Sequence, residues 1–257
     1  PANSRPECDA LECPCAVEFF PRAAKLLPEL LREEEWTPEF IAEAARREEL
    51  CPFELALELS LHADLIVGDY NYVFDPNVYL RRFFWPGRPP DSLFIVDEAH
   101  NLVTRAREMY SATLEETEVR AILDLLPDPT LRACAEPLRA RCASWGDDLS
   151  FEGAKAMRLP ELPADLQSEL DGFLNALGEL LPVLPRGGTR TSVLERYFDL
   201  MHCSRIAAGL SADDAVYVMK AGKAAARLRL FCPHPGQQLR RRLKYSTSAI
   251  FLSATLS

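Results

Sequence analysis

Three short apolar runs without a polar break stand out from a background of helical periodicity. They are Ala63-Asp64-Leu65-Ile66-Val67 after its one aspartate, Leu93-Phe94-Ile95-Val96, and Ala249-Ile250-Phe251-Leu252. Uninterrupted runs of this length predict strands buried on both faces of a parallel sheet. Each ends in polar residues: Asp69, then Asp97-Glu98, then Ser253 and Thr255. Helical spacing dominates elsewhere. Residues 16–35 carry a stripe of Leu26, Leu27, Leu30 and Leu31 despite Pro21 and Pro28. Thr37-Pro38-Glu39 is a helix start, with a hydroxyl to cap, proline in the first turn and an acid near the positive end. That helix pairs Phe40 with Ala44 and Ile41 with Ala45, and Cys51-Pro52 opens another with Leu55 and Leu59 four apart. Trp85-Pro86-Gly87-Arg88-Pro89-Pro90 is a turn-rich linker. From about 109 to 222 the period is helical, broken at Pro127, Pro129, Pro160, Pro163, Pro182 and Pro185, with no clear strand run. This block is expected to be a separate helical insertion.

Composition adds limits. With 257 residues, 48% of them hydrophobic, the chain can bury one large core or two modest ones. No stretch of about 18 uncharged apolar residues exists to span a membrane. The formal charge of −10 argues against nucleic acid, but its distribution changes that picture. No acidic residue follows Asp214, and the tail holds Lys220, Lys223, Arg227, Arg229, Arg240, Arg241, Arg242 and Lys244. Such a segment can contact phosphates or be an ordinary solvated face. The first residue is Pro1 and the last follow an apolar run, so the chain reads as an internal fragment of a longer protein.

Parallel strands deliver their polar ends to one rim, where open α/β sheets bind ligands. The sequence SLFIVDEAHNL therefore places two carboxylates at a nucleotide motor's acidic position. There Asp97 would hold Mg²⁺, Glu98 would act on the attacking water, and His100 and Thr255 would relay the state of the γ-phosphate. The hydroxyls of Ser253 and Thr255 reach the same rim although a long stretch of chain separates them from the acids.

Four of the eight cysteines (8, 13, 15 and 51) lie near the start of the chain. A chain this rich in core residues does not need a disulfide framework, so a reduced, cytoplasmic compartment and a metal site are the better reading. Four thiolates suit zinc or an iron–sulfur cluster, and the wide spacing to Cys51 leans toward the cluster. Cys51 before Pro52 puts a sulfur at a helix N-terminus, where the dipole favours thiolate. Cys134, Cys142, Cys203 and Cys232 read as buried thiols. Tyr70, Tyr72 and Phe74 alternate in DYNYVF; if extended they form one aromatic face that packs in the core or stacks on single-stranded bases.

The segments CPFELALELSLHADLIVGDYNYVFDP, SLFIVDEAHNL and AIFLSATLS, taken in order, resemble the XPD/DinG family of iron–sulfur superfamily 2 DNA helicases, closest to its bacterial members. The resemblance is strong at residues 51–76, 91–103 and 245–257 and weak through the helical block. It implies an α/β fold: part of a RecA-like parallel-sheet motor domain, carrying an N-terminal helical iron–sulfur insertion and a mostly α-helical arch insertion. The implied division is 1–60 for the cluster domain, 61–108 for the motor with its DEAH box, 109–222 for the arch, and 223–257 for the motor segment with the SAT motif. It also implies ATP-driven 5′→3′ unwinding in DNA repair or replication, with ATP, Mg²⁺ and a 4Fe–4S cluster as cofactors and single-stranded or forked DNA as partner. On this resemblance Cys8, Cys13 and Cys51 match the second, third and last cluster ligands, and Cys15 is an extra cysteine that the pattern does not require. Asp97, Glu98 and His100 are the catalytic set, Ser253 and Thr255 the couplers, and Tyr70 and Tyr72 candidate DNA contacts.

No G-x-x-x-x-G-K-[ST] occurs, so the chain alone is expected not to hydrolyse ATP. Two rival readings remain: a DNA-fork binding module whose motor fold does not hydrolyse ATP, and a nuclease-associated relative, for which no added cluster of metal-binding carboxylates is present.

Overall fold

The computed structural model describes residues 13–254 apart from 86, 88, 212 and 222–224. The chain divides into two compact units, Pro1–Gly68 and Asp69–Ser257. The division falls after Gly68 rather than after residue 60.

The first unit is helical. Helix α1 (Phe19–Leu30) buries Phe19, Ala23, Leu26 and Leu30. Leu31, expected on the same stripe, is exposed because the helix ends at Leu30. The Trp36 indole N–H donates to the Leu30 carbonyl at 2.8 Å, satisfying one of the acceptors left over at that end. Helix α2 (Pro38–Arg47) starts as its sequence predicts: Thr37 Oγ1 accepts from the Phe40 amide at 3.2 Å. It stops in a left-handed turn at Glu49 (φ 52°), after which the amide of Leu50 donates to the Ala45 carbonyl at 2.8 Å. Helix α3 (Pro52–Ser60), capped at Cys51, buries Leu55 and Leu59. These faces, with Leu50 between them, form one core.

The described residues of the second unit form two sheets. Strands β1 (Ser92–Val96) and β6 (Ser246–Phe251) pair in parallel, with Val96 opposite Phe251. The register shifts once between Ser92 and Leu93, skipping Thr247, whose hydroxyl donates to the Ser92 carbonyl at 3.1 Å. A four-stranded antiparallel sheet has the order β2 (Ala112–Glu115), β5 (Ala225–Phe231), β4 (Ala215–Ala221), β3 (Ala156–Leu159). Helices α6 (Glu116–Leu125), α7 (Pro129–Phe151), α8 (Leu166–Leu180) and α9 (Gly188–Ala208) contribute to a single large core with its strands. Most of the prolines in this block lie in the segments between the α-helices. Pro129 opens α7 behind the Asp128 cap, whereas Pro137 lies inside it.

Five sequence expectations are corrected. Residues 63–69 form no strand: Leu65 is 75% and Val67 89% exposed, so two of the three apolar runs, not three, are strands. Nor is β1 buried on both faces, since Leu93 and Ile95 are more than half exposed on one side of the parallel pair. The block 109–222 is not purely helical; β2, β3 and β4 lie in it. The β4–β5 hairpin crosses the expected boundary at 222/223 and assigns 225–231 to the antiparallel sheet. Finally, DYNYVF is not extended. Its residues Asn71–Phe74 form a short helix, α4.

Helix α5 (Leu102–Met109) follows β1 after a short 3₁₀ turn at Ala99–Asn101, and α10 (Gly236–Leu243) precedes β6. Phe74, Val96, Ala99, Leu102 and Met109 form a small core beneath the end of β1, with Leu239 and Leu243 of α10 packed against it. Among the described residues no helix is long and apolar enough to cross a membrane.

Candidate functional site

The chain leaves β1 and β6 at the same rim because the two strands run parallel. Beyond the ladder, the Leu252 amide donates to the Val96 carbonyl at 2.8 Å and the Ala99 amide to the Leu252 carbonyl at 2.9 Å. These two bonds lock the turn Asp97-Glu98-Ala99-His100 beside Ser253. Asp97 Oδ1 accepts from the Glu98 amide at 2.8 Å. Glu98 adopts left-handed backbone (φ 46°, ψ 42°), a conformation that L side chains other than Asn and Asp rarely take. His100 Nδ1 lies 2.8 Å from Ser253 Oγ and 3.2 Å from Glu98 Oε2. A carboxylate only accepts, whereas a hydroxyl donates or accepts. One ring nitrogen is thus shared between an acid of one strand end and a hydroxyl of the other.

The turn has a further support. The Tyr70 hydroxyl donates to the Asp97 carbonyl at 2.6 Å and to the Glu98 carbonyl at 3.1 Å. Burial raises its phenol above the ordinary range, helped by the negative charges of Asp97, Glu98 and Asp69. The Tyr110 hydroxyl, just beyond α5, donates to the Phe74 carbonyl at 2.7 Å and fixes the far end of α4. Sequence reasoning missed both tyrosine contacts; residue spacing carries no signal for a hydroxyl that bonds backbone across 27 positions.

Other expected site residues are placed as follows. Tyr72 is 38% exposed. Cys8 and Thr255 lie outside the described residues. Cys13, Cys15 and Cys51 are neighbours, and the Cys51 amide donates to the Cys15 carbonyl at 3.3 Å. Burial first, then Cys13 and Cys51, raise the Cys15 thiol above its ordinary range. These soft donors fit an iron–sulfur or zinc centre in chemistry. Among the described residues, however, no three His, Cys, Asp or Glu side chains are arranged to hold a metal ion. Of the basic tail, Arg227 pairs with Glu115 at 3.3 Å, Arg229 donates to Thr113 at 3.0 Å, and Arg242 lies over the Tyr79 ring at 3.8 Å. Arg240, Arg241 and Lys244 are exposed.

With this geometry in place, comparison with known proteins is informative. Residues 3–119 match the DEAD_2 family model. The chain is 32% identical over 113 residues to the Fanconi anemia group J protein homolog of Gallus gallus, a stretch covering 42% of this chain and 9% of that protein. It is 30% identical over 120 residues to the Regulator of telomere elongation helicase 1 homolog of Caenorhabditis elegans, covering 47% of this chain and 12% of that protein. A solved XPD helicase structure shares the fold with a TM-score of 0.53 at 17% identity, over 85% of this chain and 36% of that one. The class is thus an α/β fold with a parallel pair, of the kind found in the XPD helicase motor. More particularly, the chain is similar to XPD-like superfamily 2 helicases, and it spans about a tenth of the length of the curated relatives it matches.

Proposed function

We propose that this chain is the central part of an ATP-dependent 5′→3′ DNA helicase that carries a 4Fe–4S cluster and serves DNA repair or replication. The observation that carries the reading is the meeting of the acid turn with Ser253 at the shared rim of β1 and β6. Asp97 would hold the Mg²⁺ of bound ATP, and the ion would supply charge neutralisation at the transferred phosphoryl. Glu98, exposed on its turn, orients the attacking water and accepts its proton. His100, Ser253 and Thr255 couple the state of the acids to the strand that follows β6. Single-stranded or forked DNA is the partner, with Tyr72 available for base stacking and Arg240, Arg241 and Lys244 for phosphates. Cys8, Cys13 and Cys51 are the proposed cluster ligands, with Cys15 as an additional thiol, and the protein works in the reducing cytoplasm. An anaerobic absorption spectrum of the intact protein separates iron–sulfur from zinc.

The test of the motor is Glu98→Gln in the intact protein. ATP turnover collapses by at least about a hundredfold, as loss of a general base predicts, while DNA affinity persists. If wild type shows no DNA-stimulated turnover yet binds forks, the alternative of a non-hydrolysing fork-binding module replaces the helicase.

A further inference from the structure

We infer that Tyr70 is a positioning residue for the two acids, acting through its hydroxyl on the peptide backbone of the Asp97–Glu98 turn. This inference rests on the motor reading above.

The argument is geometric. Tyr70 is the first residue of the α4 cap, and its own carbonyl accepts from the amides of Val73 and Phe74 at 3.0 and 2.8 Å. Asp69 Oδ1 accepts from the Asn71 amide at 2.9 Å, which closes the turn from the other side. At the far end Phe74 is buried to 1% exposure and its carbonyl takes the Tyr110 hydroxyl. The base that carries the Tyr70 ring is therefore held at both ends. From that base the hydroxyl reaches two successive carbonyls, those of Asp97 and Glu98.

Two carbonyls converge on one donor only when the backbone between them is sharply turned, and Glu98 is left-handed there (φ 46°). Such a conformation at a glutamate is strained, and strain of this kind persists when surrounding bonds over-determine it. A right-handed Glu98 would swing its carbonyl off the hydroxyl and redirect its side chain away from the rim. The Asp97 carbonyl that the hydroxyl binds belongs to the same peptide as the Glu98 amide, whose N–H donates to Asp97 Oδ1. One hydroxyl thus sets the aim of both carboxylates.

The experiment is Tyr70→Phe in the intact protein, which keeps the ring and removes only the hydroxyl. DNA-stimulated kcat for ATP falls about tenfold, the size expected from one lost hydrogen bond at a reacting group. The KM for ATP and the Kd for single-stranded DNA stay within about twofold, because the hydroxyl is engaged by two backbone carbonyls. Combined with Glu98→Gln, Tyr70→Phe costs less than its tenfold alone, since part of its effect passes through that acid. Unchanged kcat in Tyr70→Phe overturns the inference, and so does a kcat loss matched by lost DNA affinity, which would make Tyr70 a stacking residue. If wild type itself does not turn over ATP, the motor reading fails first. Tyr70 is then judged by amide hydrogen exchange at Glu98–Asn101. Exchange about tenfold faster in Tyr70→Phe upholds the hold on the turn, and identical exchange removes it.

Discussion

His100 Nδ1 and Ser253 Oγ lie 2.8 Å apart, although 153 positions of chain separate them. The intervening helices and antiparallel sheet leave and return at the ends of two parallel neighbours, β1 and β6. A register slip of one residue would move Ser253 by about 3.3 Å and turn its side chain to the opposite face. The bulge at Thr247 is what fixes that register near the start of the pair, since its hydroxyl bonds the Ser92 carbonyl. The contact between the acid turn and the hydroxyl is thus a readout of sheet alignment along the whole length of the pair.

If that contact is one functional unit, its two halves will not add. On the proposed helicase reading, Ser253→Ala and His100→Ala in the intact protein each slow unwinding of a fluorescent fork by about five- to tenfold, and the double variant is no slower than the worse single. Losses that multiply would mean the two side chains serve separate purposes.

Glu49 gives a stability test in the first unit. It ends α2 in left-handed backbone while Leu50, buried to 2%, packs into the core behind it. The bonds from Leu50 to Ala45 and from Glu49 to Arg46 make a helix terminator that glycine suits best. Glu49→Gly raises the unfolding free energy of this unit by about 0.5–1 kcal/mol in urea denaturation. A loss of stability would mean that the Glu49 side chain contributes more than its backbone strain costs.

The sequence made the parallel pair legible through two runs without polar breaks, and the helix starts at Thr37 and Cys51 through their cap and proline. The meeting of the Asp97-Glu98 turn with Ser253 at one rim was readable because a strand end restricts where a side chain can go. The third run failed because Leu65-Ile66-Val67 is as apolar as a strand and too short to declare its partners. The antiparallel sheet was hidden by composition: alanine-rich AVYVMKA looks helical, yet RLRLF alternates in period two. Leu228 and Leu230 are buried in the core, while Arg227 and Arg229 bond Glu115 and Thr113 on the neighbouring strand. The backbone contacts of Tyr70 were not legible because its alternation with Tyr72 and Phe74 suits an extended segment as well, where backbone bonds wind a helical turn.

Glu116 is a charged group placed where little water reaches it. Its side chain is 8% exposed and accepts from Arg120 at 2.8 Å and Arg139 at 3.2 Å. Removing the carboxylate takes from Arg139, itself only 28% exposed, the closer of its two acidic partners and leaves Glu136 at 3.4 Å. Glu116→Ala therefore lowers the stability of the second unit by about 2–3 kcal/mol, and Glu116→Gln by less, because the amide oxygen still accepts. Chemical denaturation followed by Trp145 fluorescence measures both. A cost below about 0.5 kcal/mol for Glu116→Ala would show that solvent replaces the pair.

The thiols of α7 and α9 set an alkaline limit. Cys142 and Cys203 are buried, at 2% and 1% exposure. Burial, then the Glu116 charge, pushes Cys142 up from 9.0 to about 12. Burial, then Cys142, does the same to Cys203. The folded state therefore keeps protons that the unfolded chain releases above pH 9. Their contribution to stability is complete below that pH and is lost as pH rises toward about 12, at up to ~1.4 kcal/mol per pH unit for each thiol. Urea midpoints measured from pH 8 to 11 should fall with this slope, and less steeply in Cys203→Ala. At pH 8 iodoacetamide should label neither thiol until the second unit opens. Labelling of Cys142 in the folded protein at the rate of a free peptide would mean that the α7–α9 core admits solvent, and the alkaline slope would vanish with it.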